Sequence, residues 1–187
     1  LAWNVPGVEE LGFSLRQYTE TPGYGSILGF VHYPARDKKG VFFRTDYEAS
    51  SGIESQYNDV LKGVPGLRII ETDALGNIIS SNTIDPPTPG QNVRLTIDDR
   101  LQSHFYSIIA QVAHEQDYLG GAAIMMDIEN GDILASVSYP DFDPNVMTAG
   151  EDRKTIAAYN NDPGTPFLNR VVGGLFAPGS IVKPVYA

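Results

Sequence analysis

Glycine and proline interrupt this sequence 19 and 13 times, so most of its regular segments must be short and closed by turns. One segment escapes that punctuation. Leu101, Phe105, Ile108, Ile109 and Val112 recur at helical spacing, with Asp98 or Asp99 in capping position ahead of them. The spacing predicts an amphipathic helix stopped by Gly120-Gly121. A second helical stripe, Ile53, Tyr57 and Leu61, is closed by Lys62-Gly63, and residues 154–159 predict a third, short helix. Short strands and loops are expected over residues 24–34, 40–47, 66–73, 78–83 and 93–97. Residues 122–128 and 133–139 flank Asn130-Gly131, which predicts a hairpin with a type I′ turn. These elements make an α+β chain.

Its 187 residues allow one domain or two small ones. Asp85-Pro86-Pro87-Thr88-Pro89-Gly90 is the expected linker, because three prolines in four positions favour a stiff, extended connection. It would divide the chain into residues 1–90 and 91–187. Composition, with 42% apolar and 19% charged residues, excludes the disordered class. A net charge of -10 repels phosphate backbones and argues against nucleic acid as a partner. Cysteine is absent, which removes disulfides, thiolate chemistry and Cys-ligated zinc. No run approaches the ~20 apolar residues of a membrane helix, and the opening LAWNVPGVEE has no signal-peptide pattern.

The residues that carry chemistry lie at the end. Ser180 and Lys183 form Ser-x-x-Lys directly after Pro178-Gly179. In a helix starting near Ser180 the two side chains would be neighbours on one face, about 5–6 Å apart at Cβ. Pro184 restricts that helix to beginning here, since a missing N–H is harmless only in the first turn. A serine hydroxyl becomes a nucleophile when a base stands beside it. A lysine serves as that base when desolvation and the positive end of a helix dipole disfavour its ammonium form. The Ser180 N–H would then point toward a developing oxyanion. Taken alone, Ser-x-x-Lys occurs by chance in many chains and reads first as an N-cap serine followed by a solvated lysine.

Several segments in order remove that ambiguity. Gly52-Ile53-Glu54, Tyr57, Leu61, Gly63 and Pro65-Gly66 come first, then Leu95-Thr96-Ile97-Asp98 and Leu101-Gln102. Asp127, Asn130-Gly131, Ile133-Leu134-Ala135, Pro140-x-Phe142-Asp143-Pro144-Asn145, Asn169-Arg170 and Pro178-Gly179-Ser180-x-x-Lys183-Pro184 follow. Together they resemble the class B penicillin-binding proteins, the serine transpeptidases that cross-link peptidoglycan. The loop Asn161-Asp162-Pro163-Gly164-Thr165-Pro166 is more similar to the elongation branch than to the division branch.

The resemblance implies a non-catalytic, dimerisation-type pedestal over residues 1–90. Residues 91–187 would be the opening part of a transpeptidase domain, an antiparallel sheet flanked by helices. It implies Ser180 as the acylated nucleophile and Lys183 as the base, with D-alanyl-D-alanine stem peptides and β-lactams as ligands and no cofactor or metal. It further implies a place on the outer face of the bacterial cytoplasmic membrane, beside a membrane glycan-strand polymerase and other cell-elongation proteins. The family's Ser-x-Asn and Lys-Thr/Ser-Gly elements come later than Ser-x-x-Lys. Ser80-Ser81-Asn82 and Lys38-Lys39-Gly40 stand on the wrong side of it and read as coincidence. The chain ends at Ala187, so the expectation is a piece that holds the nucleophile, lacks a complete site and is itself inactive.

Rival readings are a serine β-lactamase or β-lactam sensor, which shares Ser-x-x-Lys, and a non-catalytic interaction module. Gly23-x-Gly25 with Gly29 misses the dinucleotide spacing, and Asp141-x-Asp143-x-Asn145 has Val146 where a calcium loop needs Gly. His104 and His114 fall on the polar side of the long helix, and Met125-Met126 is expected to fill a strand's core.

Overall fold

The computed structural model describes residues 15–36, 42–44, 46–75, 78–177 and 179–186. The N-terminal elements are α1 (Gly25–Leu28), β1 (Val31–His32), β2 (Ala35–Arg36), β3 (Phe42–Arg44), β4 (Glu48–Ala49), α2 (Gly52–Gln56) and α3 (Asn58–Leu61). They are followed by β5 (Leu67–Thr72), β6 (Ile78–Asp85), α4 (Asp99–Glu115), β7 (Gly121–Met126) and β8 (Ile133–Tyr139). The chain continues through α5 (Pro144–Ala149), α6 (Arg153–Asn161) and α7 (Arg170–Gly173) to a 3-10 turn, Gly179–Val182, and α8 (Lys183–Tyr186). Strands pair antiparallel as β1–β4, β2–β3, β5–β6 and β7–β8, which makes the chain α+β as its sequence implies. Among the described residues no helix is long and apolar enough to cross a membrane.

Two compact units form, and they are not successive in sequence. One comprises the described residues up to Gln17 with Tyr57–Val93; the other comprises Tyr18–Gln56 with the residues from Arg94 onward. The crossing point falls inside the expected helix over residues 52–61. That stripe breaks at Tyr57 (φ -113°, ψ 22°), whose carbonyl accepts from the amides of Val60 and Leu61 and so starts α3 afresh. Lys62 and Gly63 end α3 as expected, with the Lys62 N–H on the Asn58 carbonyl and Lys62 2.8 Å from Asp59.

In the first unit the expected linker is not free. Of residues 86–89 only Thr88 has an N–H to give, since the other three are prolines. Thr88 exchanges two 2.9 Å bonds with Val64, and Gln91 donates to the Val60 carbonyl at 2.8 Å. The stretch thus extends the β5–β6 ladder, whose last pair is Leu67 with Asp85. The Asp73 carboxylate accepts from the Leu75 amide in the turn; Gly76 and Asn77 lie outside the described residues.

The second unit is built on α4, which packs against β8 and β7. Asp98 caps α4, accepting from the amides of Arg100 and Leu101 at 2.9 and 3.1 Å. The buried face is shifted from the expected one, of which Leu101, Phe105 and Ile109 are half-buried. Ile108 and Val112 are 42% and 43% exposed, whereas Gln102 and Ala113 are buried, with Tyr106 and Ile109 between them at helical spacing. A polar residue decides the rotation. The Gln102 amide donates to the Gly23 and Ser136 carbonyls (2.6 and 3.0 Å) and accepts from the Ser136 N–H (2.8 Å), and no part of it reaches solvent. The helix ends at Glu115, short of Gly120, with Asp117 in the left-handed region (φ 53°).

The β7–β8 hairpin forms, but its turn differs from the expected type. Asp127 and Asp132 close it through a 2.8 Å bond, and only Gly131 (φ 81°) has positive φ, whereas type I′ needs two such residues. Asp127 and Asn130 side chains accept from the Glu129 and Asp132 amides, which stabilises the longer loop. Met126 is 55% exposed and does not fill the core. Residues 93–97 are extended without forming a ladder; Thr96 Oγ1 and the Asp98 N–H reach the Ile133 and Leu134 carbonyls at 2.7 and 2.9 Å.

Residues 18–31 hold their place mainly through side chains from the later half. Asn145 accepts from the Tyr18 N–H at 2.9 Å, Thr148 Oγ1 from the Val31 N–H at 3.3 Å, and Asp99 from the Tyr24 hydroxyl at 2.9 Å. Asp141 accepts from the Gly25 and Ser26 amides at 2.7 and 3.0 Å. That cap turns residues expected as strand into α1, since a carboxylate on two successive amides satisfies a helix start. The core around them is aromatic: Phe142 meets Phe30 and Phe167 at centroid distances of 5.8 and 5.0 Å.

Gln102→Glu keeps the shape but replaces two donors with a charge facing two carbonyls. It is expected to lower urea-unfolding stability by about 3 kcal/mol, the cost of several orphaned buried groups. Burial pushes the Asp141 carboxyl up to about 6, against the pull of its amide partners, Phe142 first, then Gly25 and Ser26. The folded state therefore holds this proton more tightly than the unfolded chain. Its contribution is complete below pH 3.8, the unfolded value, and falls away as pH rises through about 6. Thermal midpoints measured from pH 4 to 7 should decline with that dependence, and Asp141→Asn should flatten it.

Candidate active site around Ser180 and Lys183

The segment that ends in the two chemical residues begins in a loop, residues 162–169, that is organised around one arginine. Arg170 opens α7, and its side chain is 7% exposed. The guanidinium donates to the carbonyls of Thr165 (3.2 Å), Leu168 (3.3 Å) and Gly164, and to Thr165 Oγ1 (3.0 Å). None of these acceptors is a carboxylate. Burial lowers the affinity of the group for its proton, and the nearby charge of Asp162 opposes that effect. Asn169 caps α7 through the Val171 N–H at 3.1 Å and donates to the Ser26 carbonyl at 3.4 Å. Ser138, buried on β8, donates to the Leu168 carbonyl at 2.9 Å and accepts from the Arg170 N–H at 3.1 Å.

From α7 the chain runs through Gly174, whose N–H closes onto the Arg170 carbonyl at 3.2 Å, and Phe176 to the 3-10 turn. Gly179 takes φ 54° at its start, and Pro178 lies outside the described residues. Ser180 occupies the turn and Lys183 begins α8, with Pro184 second in that helix, where a missing N–H costs nothing. The sequence places both residues at a helix start, and the backbone does so through a 3-10 turn. With 3.0 residues per turn, positions i and i+3 fall on one side of the backbone. Both residues are exposed, and no hydrogen bond joins their side chains. The described residues thus supply the spacing of a nucleophile and a base but not the desolvation that would make the lysine a good one.

Arg170 and Ser138 have no chemical part in a reading of the sequence. An arginine next to an Asn N-cap reads as a solvated helix-start residue, and its burial depends on carbonyls that only the folded loop brings together. Ser80-Ser81-Asn82 lies on β6, in the first unit.

Residues 2–95 match the family described as Penicillin-binding Protein dimerisation domain, and residues 121–187 match Penicillin binding protein transpeptidase domain. Peptidoglycan D,D-transpeptidase MrdA of Escherichia coli strain K12 is 32% identical over 195 residues, covering 99% of this chain and 30% of the relative. A chain from the structure of a peptidoglycan synthase complex, concerned with coordination of polymerization and crosslinking, aligns with a TM-score of 0.63 and 26% identity. That match covers 82% of this chain and 29% of that one. A chain from the complex between penicillin-binding protein PBP2 and MreC of Helicobacter pylori gives a TM-score of 0.62 at 27% identity, over 90% and 31% of the two chains. The chain therefore spans about 30% of the length of the curated relative it matches. On the match over residues 2–95, reinforced by that over 121–187, the chain belongs to the penicillin-binding proteins.

Proposed function

We propose that this chain carries the nucleophile end of a peptidoglycan D,D-transpeptidase of the elongation type, with a pedestal over residues 1–90 and the opening of the transpeptidase domain over 91–187. The observation that carries this reading is Ser180 and Lys183 one turn apart at a helix start, inside the segment that matches the transpeptidase family. Ser180 Oγ attacks the carbonyl of the penultimate D-alanine of a stem peptide while Lys183 Nζ takes the hydroxyl proton. The terminal D-alanine leaves with a proton, and an ester to Ser180 remains. The amine of a second stem peptide then attacks that ester and restores the hydroxyl. A β-lactam enters the same first step, but its leaving amine stays tethered by the opened ring. The family's Ser-x-Asn and Lys-Thr/Ser-Gly elements would close over the pair and desolvate Lys183.

The dimerisation-domain match supports this reading over a β-lactamase or a β-lactam sensor. The chemistry belongs outside the cytoplasmic membrane, where stem peptides are joined, with the whole enzyme anchored there. A membrane glycan polymerase and cell-elongation proteins are its partners; likeness to chains from a peptidoglycan synthase complex and a PBP2–MreC complex supports this. Leu67, Ile69, Ile79 and Ile84 of the β5–β6 hairpin are exposed, and an apolar surface of that kind suits protein contact.

A fluorescent penicillin is expected to label the full-length enzyme stably at Ser180, seen by peptide mapping, and Ser180→Ala to abolish labelling. Lys183→Ala should slow acylation by about 10²–10⁴-fold, the usual contribution of a positioned base. Labelling that survives Ser180→Ala would overturn the assignment. Rapid release of hydrolysed β-lactam would favour the β-lactamase reading. The 187-residue chain alone should label poorly.

A further inference from the structure

We propose that Arg170 is a positioning residue for acylation at Ser180, a buried cationic strut that fixes the course of the chain into the Ser-x-x-Lys turn. The proposal rests on Ser180 being the nucleophile. Its first support is the way the guanidinium is spent. All four of its bonds go to acceptors within residues 164–168, so the charge organises a loop and does not neutralise an acid. A buried charge satisfied in this way is costly to assemble and severe to remove, because truncation orphans every acceptor at once.

The second support is strain. Thr165 sits at φ 43°, a conformation that β-branched residues rarely adopt. Both its carbonyl and its hydroxyl accept from Arg170, while its N–H donates to the Asp162 carbonyl at 2.9 Å. Residues in such conformations persist where the surroundings over-determine them, and they cluster at functional sites.

The third support is the absence of slack on either side of the arginine. A Cβ added at Gly120, where β7 begins, would lie 2.5 Å from Arg170 Nε and 2.6 Å from the Tyr139 carbonyl, so the guanidinium is pressed against the backbone. On the other side, Gly174 has φ -74° and ψ 134°, which any residue can adopt. Even so, a Cβ there would strike the Phe176 ring and lie 2.5 Å from the Arg170 carbonyl oxygen. The backbone beside Arg170 is therefore crowded at both glycines. Ser180 is four residue steps beyond Phe176, a reach of at most about 14 Å. A shift of the strut is passed along that short tether to the reacting hydroxyl, and misplacement by about 1 Å can cost on the order of 10²-fold in rate.

The test uses the full-length enzyme and time-resolved acylation by a fluorescent penicillin, separating the affinity of the non-covalent complex from the acylation rate constant. Arg170→Ala is expected to lower the rate constant about 10²-fold, with affinity changed by no more than a few-fold. Arg170→Lys, which keeps the charge and some of the donors, should recover part of the loss. Gly174→Ala keeps the guanidinium but crowds the Arg170 carbonyl and the Phe176 ring, and it should lower the same constant in enzyme that circular dichroism shows to be folded. If Arg170→Ala fails to fold, the other two variants decide. A folded Arg170→Ala or Gly174→Ala enzyme with a wild-type rate constant overturns the proposal, as does a loss confined to affinity. Failure of the wild-type enzyme to label at Ser180 would instead overturn the functional reading beneath it.

Discussion

The second unit turns on a single neutral amide. Gln102 has two N–H donors and a carbonyl, and it spends them on the Gly23 carbonyl and on both backbone groups of Ser136. Three segments distant in sequence are thereby fixed at one point: the loop before α1, the middle of α4 and the edge of β8. The bond pair on Ser136 also sets which way α4 faces, because a rotation of about 100° back to Leu101 would aim an apolar side chain at these backbone groups. Tyr106, one turn further on, then lies over Gly23 and meets Tyr139 at 5.7 Å. A fully buried glutamine is stable only when its capacity is filled, and here the filling is what joins the parts.

The same device recurs throughout this unit. Its sheets have two strands each, so ladders can satisfy only a fraction of the backbone. Asp141, Asn145, Thr148, Asn169 and Ser138 supply the missing partners for residues 18–31 and 168–170. Each such bond is worth roughly 0.5–1.5 kcal/mol net, but its removal leaves a buried group unpaired and costs more. Arg170 takes the arrangement furthest, holding three carbonyls and a hydroxyl with one charge. The loop ahead of Ser180 is therefore held by the same kind of contact as the N-terminal segment, and both fasten to β8 and the residues beside it.

What the sequence made legible was whatever local chemistry decides. Asp98 caps its helix as expected, and the β5–β6 and β7–β8 hairpins lie where β-branched and apolar runs alternate with turn residues. Illegible were the features decided by residues far away in sequence. α1 exists because Asp141, more than a hundred positions later, caps it. The buried face of α4 follows Gln102 against the apolar stripe, since hydrophobic spacing has no term for a polar residue that is fully satisfied. The division of the chain at Tyr57, within one helical stripe, and the pinning of the proline-rich stretch by Thr88 have the same origin. The Ser-x-x-Lys pair was legible as a spacing, and ordered motifs gave that spacing its meaning. The burial of Arg170 behind it was not, because its hydrogen bonds go to carbonyls and a hydroxyl that only the folded loop brings together.

This division bears on how catalysis is assembled. A nucleophile and a base must be placed and must also be shielded, and the two needs are met by different physics. On the proposal for Arg170, placement comes from the backbone, through the Arg170 loop, the crowded Gly174 and the 3-10 turn. Shielding comes from surface that excludes water, and Ser180 and Lys183 have none among the described residues. An exposed amine is a poor base because water stabilises its charged form. In the proposed enzyme the family's Ser-x-Asn and Lys-Thr/Ser-Gly elements would supply that surface.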